Sequence, residues 1–380
     1  MFLKSLLTVS VALAVSSAHA NEYVIEKLAK PSSQQVELTL DPAKDNFSGH
    51  TEIALEVLKA TNYIELNGID YAVSMAKILG AENCDLSAEM LKTGKVKFAC
   101  EEKIQPGKYT LKVDFTAPYN RQSVGLYKTL DQGTPYLFTQ FEMSDARRAF
   151  PVFDEPSYKI PFQLTITAPT SQKVYANTPV LKTKVDGDMT THFFDKTPPI
   201  PSYLVAMAVG PFEELEIKGM PIPGRVLTPQ GKIHLADYAK ENMPRVLKAL
   251  EDYFGIPYVY KKLDSVAVPE FPFGAMENSG LVTYREDILL VDLAAATRSK
   301  KQRNVSIIAH ELAHQWYGNL VTMKWWNDLW LNEAFASWMA AKITKQLNPE
   351  FESHLDLPQN NVMALDARLS TKPIRNPIKT

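Results

Sequence analysis

Cysteine is scarce in this chain, with only Cys84 and Cys100 among 380 residues, so at most one bridge can form within it. An excess of charge of either sign is also missing. Lys plus Arg total 41 against 43 Asp plus Glu, a net charge of -2 that gives no electrostatic reason for nucleic acid or an anionic membrane as partner. Beyond the first twenty residues no apolar run reaches the roughly 20 residues that span a bilayer. There is no internal repeat and no low-complexity tract, which excludes a solenoid and a disordered linker protein. What remains is the composition of a soluble globular protein. At 380 residues it is too long for one ordinary core, so more than one domain is expected.

The first twenty residues read as a secretory signal: Lys4 in a short n-region, an apolar run from Leu6 to Val15, and Ala18-His19-Ala20 as a small-x-small cleavage site. Cleavage after Ala20 starts the mature chain at Asn21 and places it in the periplasm or outside the cell, with no membrane attachment. No Cys follows the apolar run to accept a lipid. In an oxidising compartment Cys84 and Cys100 can pair. Cys100 also continues the inward face of Val96 and Phe98, so a buried free thiol stays open as the alternative.

From Gln34 to about Gly210 apolar residues alternate: Val36, Leu38, Leu40; Ile53, Leu55, Val57; Leu111, Val113, Phe115; Phe162, Leu164, Ile166. Period two is the pattern of half-buried strands, with turns at Asn67-Gly68 and Pro106-Gly107, and predicts an antiparallel β saddle or sandwich over 21–210. No compact His, Cys or carboxylate cluster is visible in this part. Over 211–380 the pattern changes. Helices are expected from about Lys232 to Phe254, Arg298 to Tyr317 and Asn332 to Gln346, and strands at Ser265–Val268 and Leu281–Tyr284. Gly318 stands where a helix cap belongs.

His310-Glu311-Leu312-Ala313-His314 lies within the second of these helices. A spacing of four sets both imidazoles on one face, one turn apart, where they can share a tetrahedral ion. Glu333 opens the next helix and can bring a third ligand to the same point, leaving a fourth position open, which marks a catalytic zinc site with one ion per chain. Two imidazoles, one carboxylate and a water suit zinc best. Glu311 lies about 100° around the helix from His310, off the ligand face, and is the natural general base for a hydrolytic water. Chance can supply the five-residue pattern, but it does not also supply Glu333. The remaining histidines, His19, His50, His192, His234 and His354, are isolated in sequence.

Gly274-Ala275-Met276-Glu277-Asn278 precedes this helix and Trp325-Trp326-Asn327-Asp328-Leu329-Trp330-Leu331-Asn332-Glu333 follows it. With Thr139-Gln140-Phe141-Glu142 and the Asp145–Pro151 run, the chain resembles the aminopeptidase N family over nearly its whole mature length. The resemblance implies a multidomain α+β fold: an N-terminal β domain, a thermolysin-like zinc catalytic domain, and a C-terminal helical region that this chain does not reach. It implies peptide substrates with a free N-terminus. Glu277 and Glu142 match the anchors of the α-ammonium, and Gln140 and Met276 border the first side-chain pocket. The backbone of Gly274 and Ala275 aligns the peptide, and Asn278 closes the motif. Fixed carboxylates one residue from the scissile bond forbid internal cleavage, so they act as an electrostatic ruler. Asp145, Arg147, Arg148, Asp154 and Glu155 are expected to fix the domain junction through ion pairs.

Two departures accompany the resemblance. The family's oxyanion-stabilising tyrosine lies about sixty residues beyond the third ligand, past Thr380, and neither Tyr284 nor Tyr317 matches it. The chain is therefore read as truncated, and as weakly active alone. Where many relatives carry a carboxylate that orients a zinc imidazole, this chain has Ala340, so another group must serve. A thermolysin-like endopeptidase and a non-catalytic zinc or peptide-binding fragment are the competing readings.

Overall fold

In a computed structural model the described residues are 24–82, 84–352 and 359–375. The proposed signal at 1–20 and His354 lie outside them. Among the described residues no helix is long and apolar enough to cross a membrane.

The alternating segments form the strands that period two predicts. A seven-stranded sheet runs, in spatial order, Val180–Asp186, Met189–Phe194, Phe162–Pro169, Ala29–Thr39, Asn46–Val57, Gly107–Pro118 and Ala72–Leu79. Its pairings are antiparallel except Ala29–Thr39 with Phe162–Pro169, which run parallel with Val36 opposite Leu164. The inward residues Val36, Ile53, Leu111, Val113 and Ile166 are fully buried, which is what orients each strand's register. A three-stranded sheet and a four-stranded sheet pack with it, the latter formed by Lys173–Ala176, Met207–Gly210, Thr134–Gln140 and Gly125–Asp131.

Two expected turns have a different use. Asn67 ends the strand Thr61–Asn67 in the three-stranded sheet, and the chain then enters the seven-stranded sheet at Ala72. Pro106 makes the same passage between Ile104 and Gly107. Both positions carry the backbone from one sheet to another and form no hairpin. Cys84 and Cys100 are joined as a disulfide with Cα atoms 5.2 Å apart. His50 is not isolated: its Nδ1 meets Asp114 on the neighbouring strand and its Nε2 lies 3.3 Å from Glu52. Sequence spacing hides a cluster that strand pairing assembles.

From Glu213 onward a five-stranded sheet is ordered Glu213–Glu216, Gly224–Thr228, Leu263–Val268, Leu281–Arg285 and Ala275–Met276, the last forming its edge. Long helices Asp237–Phe254, Arg298–Ala313 and Trp330–Leu347 pack with it. The middle helix is capped by Thr297 Oγ1, which accepts from Lys300 N at 3.2 Å, and it ends at Ala313, four residues short of the expected Tyr317.

The β-rich and helix-bearing parts are tied by ion pairs, Lys173 with Glu214 (2.8 Å), Lys232 with Asp131 (2.6 Å) and Lys261 with Asp195, and through backbone carbonyls. Lys159 Nζ donates to Asn319 O and Leu320 O, Tyr203 Oη to Gly318 O, and Asn177 Nδ2 to Ser279 O. The charged run expected at this junction has another task. Arg147 and Asp154 pair with each other (2.9 Å), Asp154 also accepts from Ser202 Oγ, and Glu155 accepts from Ile25 N. These pairs tie together segments of the N-terminal sheets.

Candidate functional site

The histidine pair projects from the last turn of the Arg298–Ala313 helix, where Val305, Ile308 and Leu312 bury the opposite face. The Trp330–Leu347 helix crosses it and delivers Glu333 from its first turn. His310 Nε2 and His314 Nε2 are 2.9 Å apart, and Glu333 Oε2 lies 3.4 Å and 3.9 Å from them. A tetrahedral zinc with bonds of about 2.1 Å holds its ligand atoms about 3.4 Å apart, so three donors in this arrangement fit that ion.

The other face of each ring decides which nitrogen can bind. His314 Nδ1 lies 2.8 Å from Asn332 Oδ1 and 3.1 Å from Tyr317 O, which fixes the proton on Nδ1 and frees Nε2. Among the described residues His310 Nδ1 has only a long contact of 3.5 Å to Ser337 Oγ. Ser337, one turn after Glu333, is thus the group that faces His310 Nδ1. Asn332 also donates from Nδ2 to Glu277 Oε1 at 3.0 Å, so one amide links the His314 imidazole to a carboxylate 55 residues away.

Gly318 serves this amide. Its φ is +125°, and a Cβ there would stand 2.1 Å from Asn332 Oδ1. It is required for close approach and does not cap the helix. Replacing Asn332 with Ala is expected to weaken zinc binding about 10- to 100-fold, measured by competition with a chromogenic chelator. An affinity within about twofold of the parent would show that Asn332 only fills space.

Glu277 is 3 % exposed and held from several sides. Its carbonyl accepts from Gln315 Nε2 (3.0 Å) and Asn319 Nδ2 (2.8 Å), two amides spaced four apart just beyond the histidine motif. The loop behind it is clamped as well. Lys262 Nζ donates to Gly280 O at 2.6 Å while pairing with Asp264 at 2.9 Å, and Asn177 holds Ser279 O. Gly280 has φ +73°, and a Cβ on it would stand 2.2 Å from Asn177 O.

These groups surround a cavity of about 480 Å³. Its wall includes Glu142, Gly274, Ala275, Glu277, His310, Glu311, His314 and Glu333. Gln140, Met276 and Asn278 do not line it. Gln140 and Met276 are buried against each other, Nε2 to Sδ 3.5 Å, and Asn278 Nδ2 contacts Thr283 Oγ1 at 3.4 Å. Here they support the wall that carries Glu142 and Glu277.

Four carboxylates share this space. Burial first, then the charges of Glu277 and Glu333, push the Glu142 carboxyl well above its ordinary range. Glu311 is raised likewise by burial, then by Glu277, Glu333 and Glu142. Burial raises Glu333 too, but the hydrogen bond to His310 and the histidine charges outweigh it and leave its carboxyl lowered. Carboxylate oxygens of Glu142, Glu277 and Glu333 lie within 4.8 Å of one another, and Glu142 Oε1 is buried with no hydrogen-bond partner among the described residues. That is the environment an ammonium group would satisfy.

Sequence comparison identifies the family of both parts of the chain. The profile of the Peptidase M1 N-terminal domain matches residues 30–204, and that of the Peptidase family M1 domain residues 238–380. Aminopeptidase M1-B of Oryza sativa subsp. japonica is 37% identical over 360 residues, 92% of this chain and 41% of the relative. Aminopeptidase 2 of Candida albicans is 38% identical over 354 residues, 90% of this chain and 38% of the relative. Glutamyl aminopeptidase of Bos taurus is 36% identical over 331 residues, 83% of this chain and 35% of the relative. The chain thus spans about two fifths of the length of the curated relatives it matches. Both domain profiles of one family occur here in sequence, and the chain belongs to the peptidase M1 family, the aminopeptidase N family that its motifs resemble.

Proposed function

We propose that this chain carries the zinc site and the amine anchor of an aminopeptidase that removes the N-terminal residue from peptides. The observation that carries the reading is the convergence of Glu142, Glu277 and Glu333 beside the histidine pair, with Glu142 Oε1 lacking a partner. Three carboxylates next to a metal site are unfavourable unless a second cation joins them, and a peptide's α-ammonium supplies it.

His310, His314 and Glu333 would hold the ion. Zinc there would polarise the scissile carbonyl and acidify a water. Glu277 and Glu142 bind the ammonium and set the distance to the first peptide bond, while the edge strand Ala275–Met276 can pair with an extended substrate. Glu311, buried and aimed into the cavity, takes the proton of the attacking water as its oxygen adds to the carbonyl carbon. It then gives that proton to the leaving nitrogen as the C–N bond breaks, releasing a free amino acid and a shortened peptide.

We place the β domain at 21–210 and the catalytic domain at 211–380. Support comes from the strand Met207–Gly210 closing the four-stranded sheet and Glu213–Glu216 opening the five-stranded one. Export to the periplasm or beyond is supported by the signal-like residues 1–20 and by the Cys84–Cys100 bridge, which suits an oxidising compartment. The test of the reading is hydrolysis of leucyl and alanyl chromogenic amides by the complete reading frame. Turnover is expected to vanish on chelation and return with zinc. Hydrolysis that survives chelation, or none once zinc is restored, would contradict it.

A further inference from the structure

The cleft is lined by carboxylates beside the histidine pair, and two arginines stand near the elements that form its other end. Arg285 ends the strand Leu281–Arg285, which pairs antiparallel with the edge strand so that Ala275 faces Tyr284. The Arg285 N–H donates to Gly274 O at 2.9 Å, which puts Arg285 directly beside the cavity wall. The chain then makes the one-turn helix Glu286–Leu289, onto which the long helix packs: Asn304 Nδ2 donates to Ile288 O (2.9 Å) and Leu289 O (3.0 Å). Arg303 is the neighbouring residue, one turn before Ile307, and Ile307 lines the cavity.

Both guanidinium groups address one carboxylate. Arg285 Nε is 2.5 Å from Asp287 Oδ1, whereas Arg303 Nη1 is 4.0 Å from Asp287 Oδ2, beyond hydrogen-bond reach. The Arg303 side chain is 51 % exposed. Glu286 is engaged by Lys232 at 2.5 Å. Lys232 also pairs with Asp131 at 2.6 Å, so the charges here balance, and Arg303, whose closest ion pair among the described residues is the 4.0 Å approach to Asp287, is the guanidinium left for a further carboxylate.

Direction follows from the edge strand. With the ammonium at Glu277, residues after the cut run past Ala275, Gly274 and Phe273. At about 3.3 Å per residue they come level with the arginines two or three positions beyond the scissile bond. We propose that Arg303, with Arg285, forms a subsite for a carboxylate at that distance. The carboxylate is either the free C-terminus of a short peptide or an Asp or Glu side chain. This inference rests on the aminopeptidase reading above.

The test uses the complete reading frame and two peptide pairs. Leu-Ala-Ala is compared as free acid and as amide, and Leu-Ala-Asp-Ala amide is compared with its Asn counterpart. Leucyl p-nitroanilide reports on the parent enzyme alone. The acid form of at least one pair is expected to be preferred about three- to fivefold in kcat/KM, through KM. In Arg303→Gln the preference is expected to collapse, and in Arg303→Lys to return in part. The pair that responds identifies the source of the carboxylate. Anilide hydrolysis with no preference in the parent, or with a preference that Arg303→Gln leaves intact, overturns the subsite. Absence of anilide hydrolysis overturns the aminopeptidase reading and the subsite with it.

Discussion

Replacing Glu311 with Gln is expected to lower kcat on a leucyl amide about 10²- to 10⁴-fold while zinc stays bound. The substitution keeps the shape of the side chain and removes its capacity to take a proton. Glu311 is 5 % exposed and shares its cavity with Glu142, Glu277 and Glu333, so burial and like charge both oppose its ionised form. A neutral amide relieves that opposition, and the variant should fold at least as stably as the parent. Loss of rate together with unchanged zinc affinity and an unchanged or raised Tm would separate a catalytic base from a structural carboxylate. A variant keeping more than about a tenth of the parent kcat would exclude Glu311 as the base.

The second large effect lies away from the cavity. Asp154→Ala is expected to destabilise the protein by about 3–5 kcal/mol, because it strands the Arg147 guanidinium in the interior. Asp154 is 1 % exposed and Arg147 4 % exposed, and the carboxylate also accepts from Ser202 Oγ at 2.6 Å. The midpoint of urea denaturation measures this. Arg147→Met combined with Asp154→Leu should recover much of the loss, since no charge is then left unpaired. Asp145→Ala, which removes a partly exposed partner of Arg148, should cost about 1 kcal/mol or less. Equal costs for Asp154→Ala and Asp145→Ala would show that burial of the Arg147 pair has no special weight.

What the sequence reveals and what it hides follow from the range of the interactions. Buried strands announce themselves because Val36, Leu38 and Leu40 must face one core at every second residue. The histidine pair is legible for the same local reason, four residues on one helix. Glu277 and Glu142 are legible only through the resemblance, since each is an unremarkable carboxylate until the fold brings them to one wall. The amide Asn332 stood in plain view beside Glu333, yet its contacts to His314 and Glu277 bridge 18 and 55 residues and no periodicity reports them. Gly318 looks like a helix cap in the sequence because glycine commonly ends helices, whereas its reason is the nearness of Asn332 Oδ1. His50 and Asp114, 64 residues apart, meet only because their strands are neighbours. Arg285 and Arg303 come together only at Asp287, where the strand Leu281–Arg285 and the histidine-bearing helix meet.

The central claim is that fixed carboxylates beside the metal site measure from a free amine to the first peptide bond. It is tested most directly by presenting one peptide to the complete, zinc-loaded protein with its N-terminus free and again with it acetylated. The account predicts release of the first residue from the free peptide and no cleavage anywhere in the acetylated one. In Glu277→Ala, hydrolysis of the free peptide is expected to fall sharply. Cleavage of the acetylated peptide at a rate comparable to that of the free one would contradict the amine anchor and make the protein an endopeptidase.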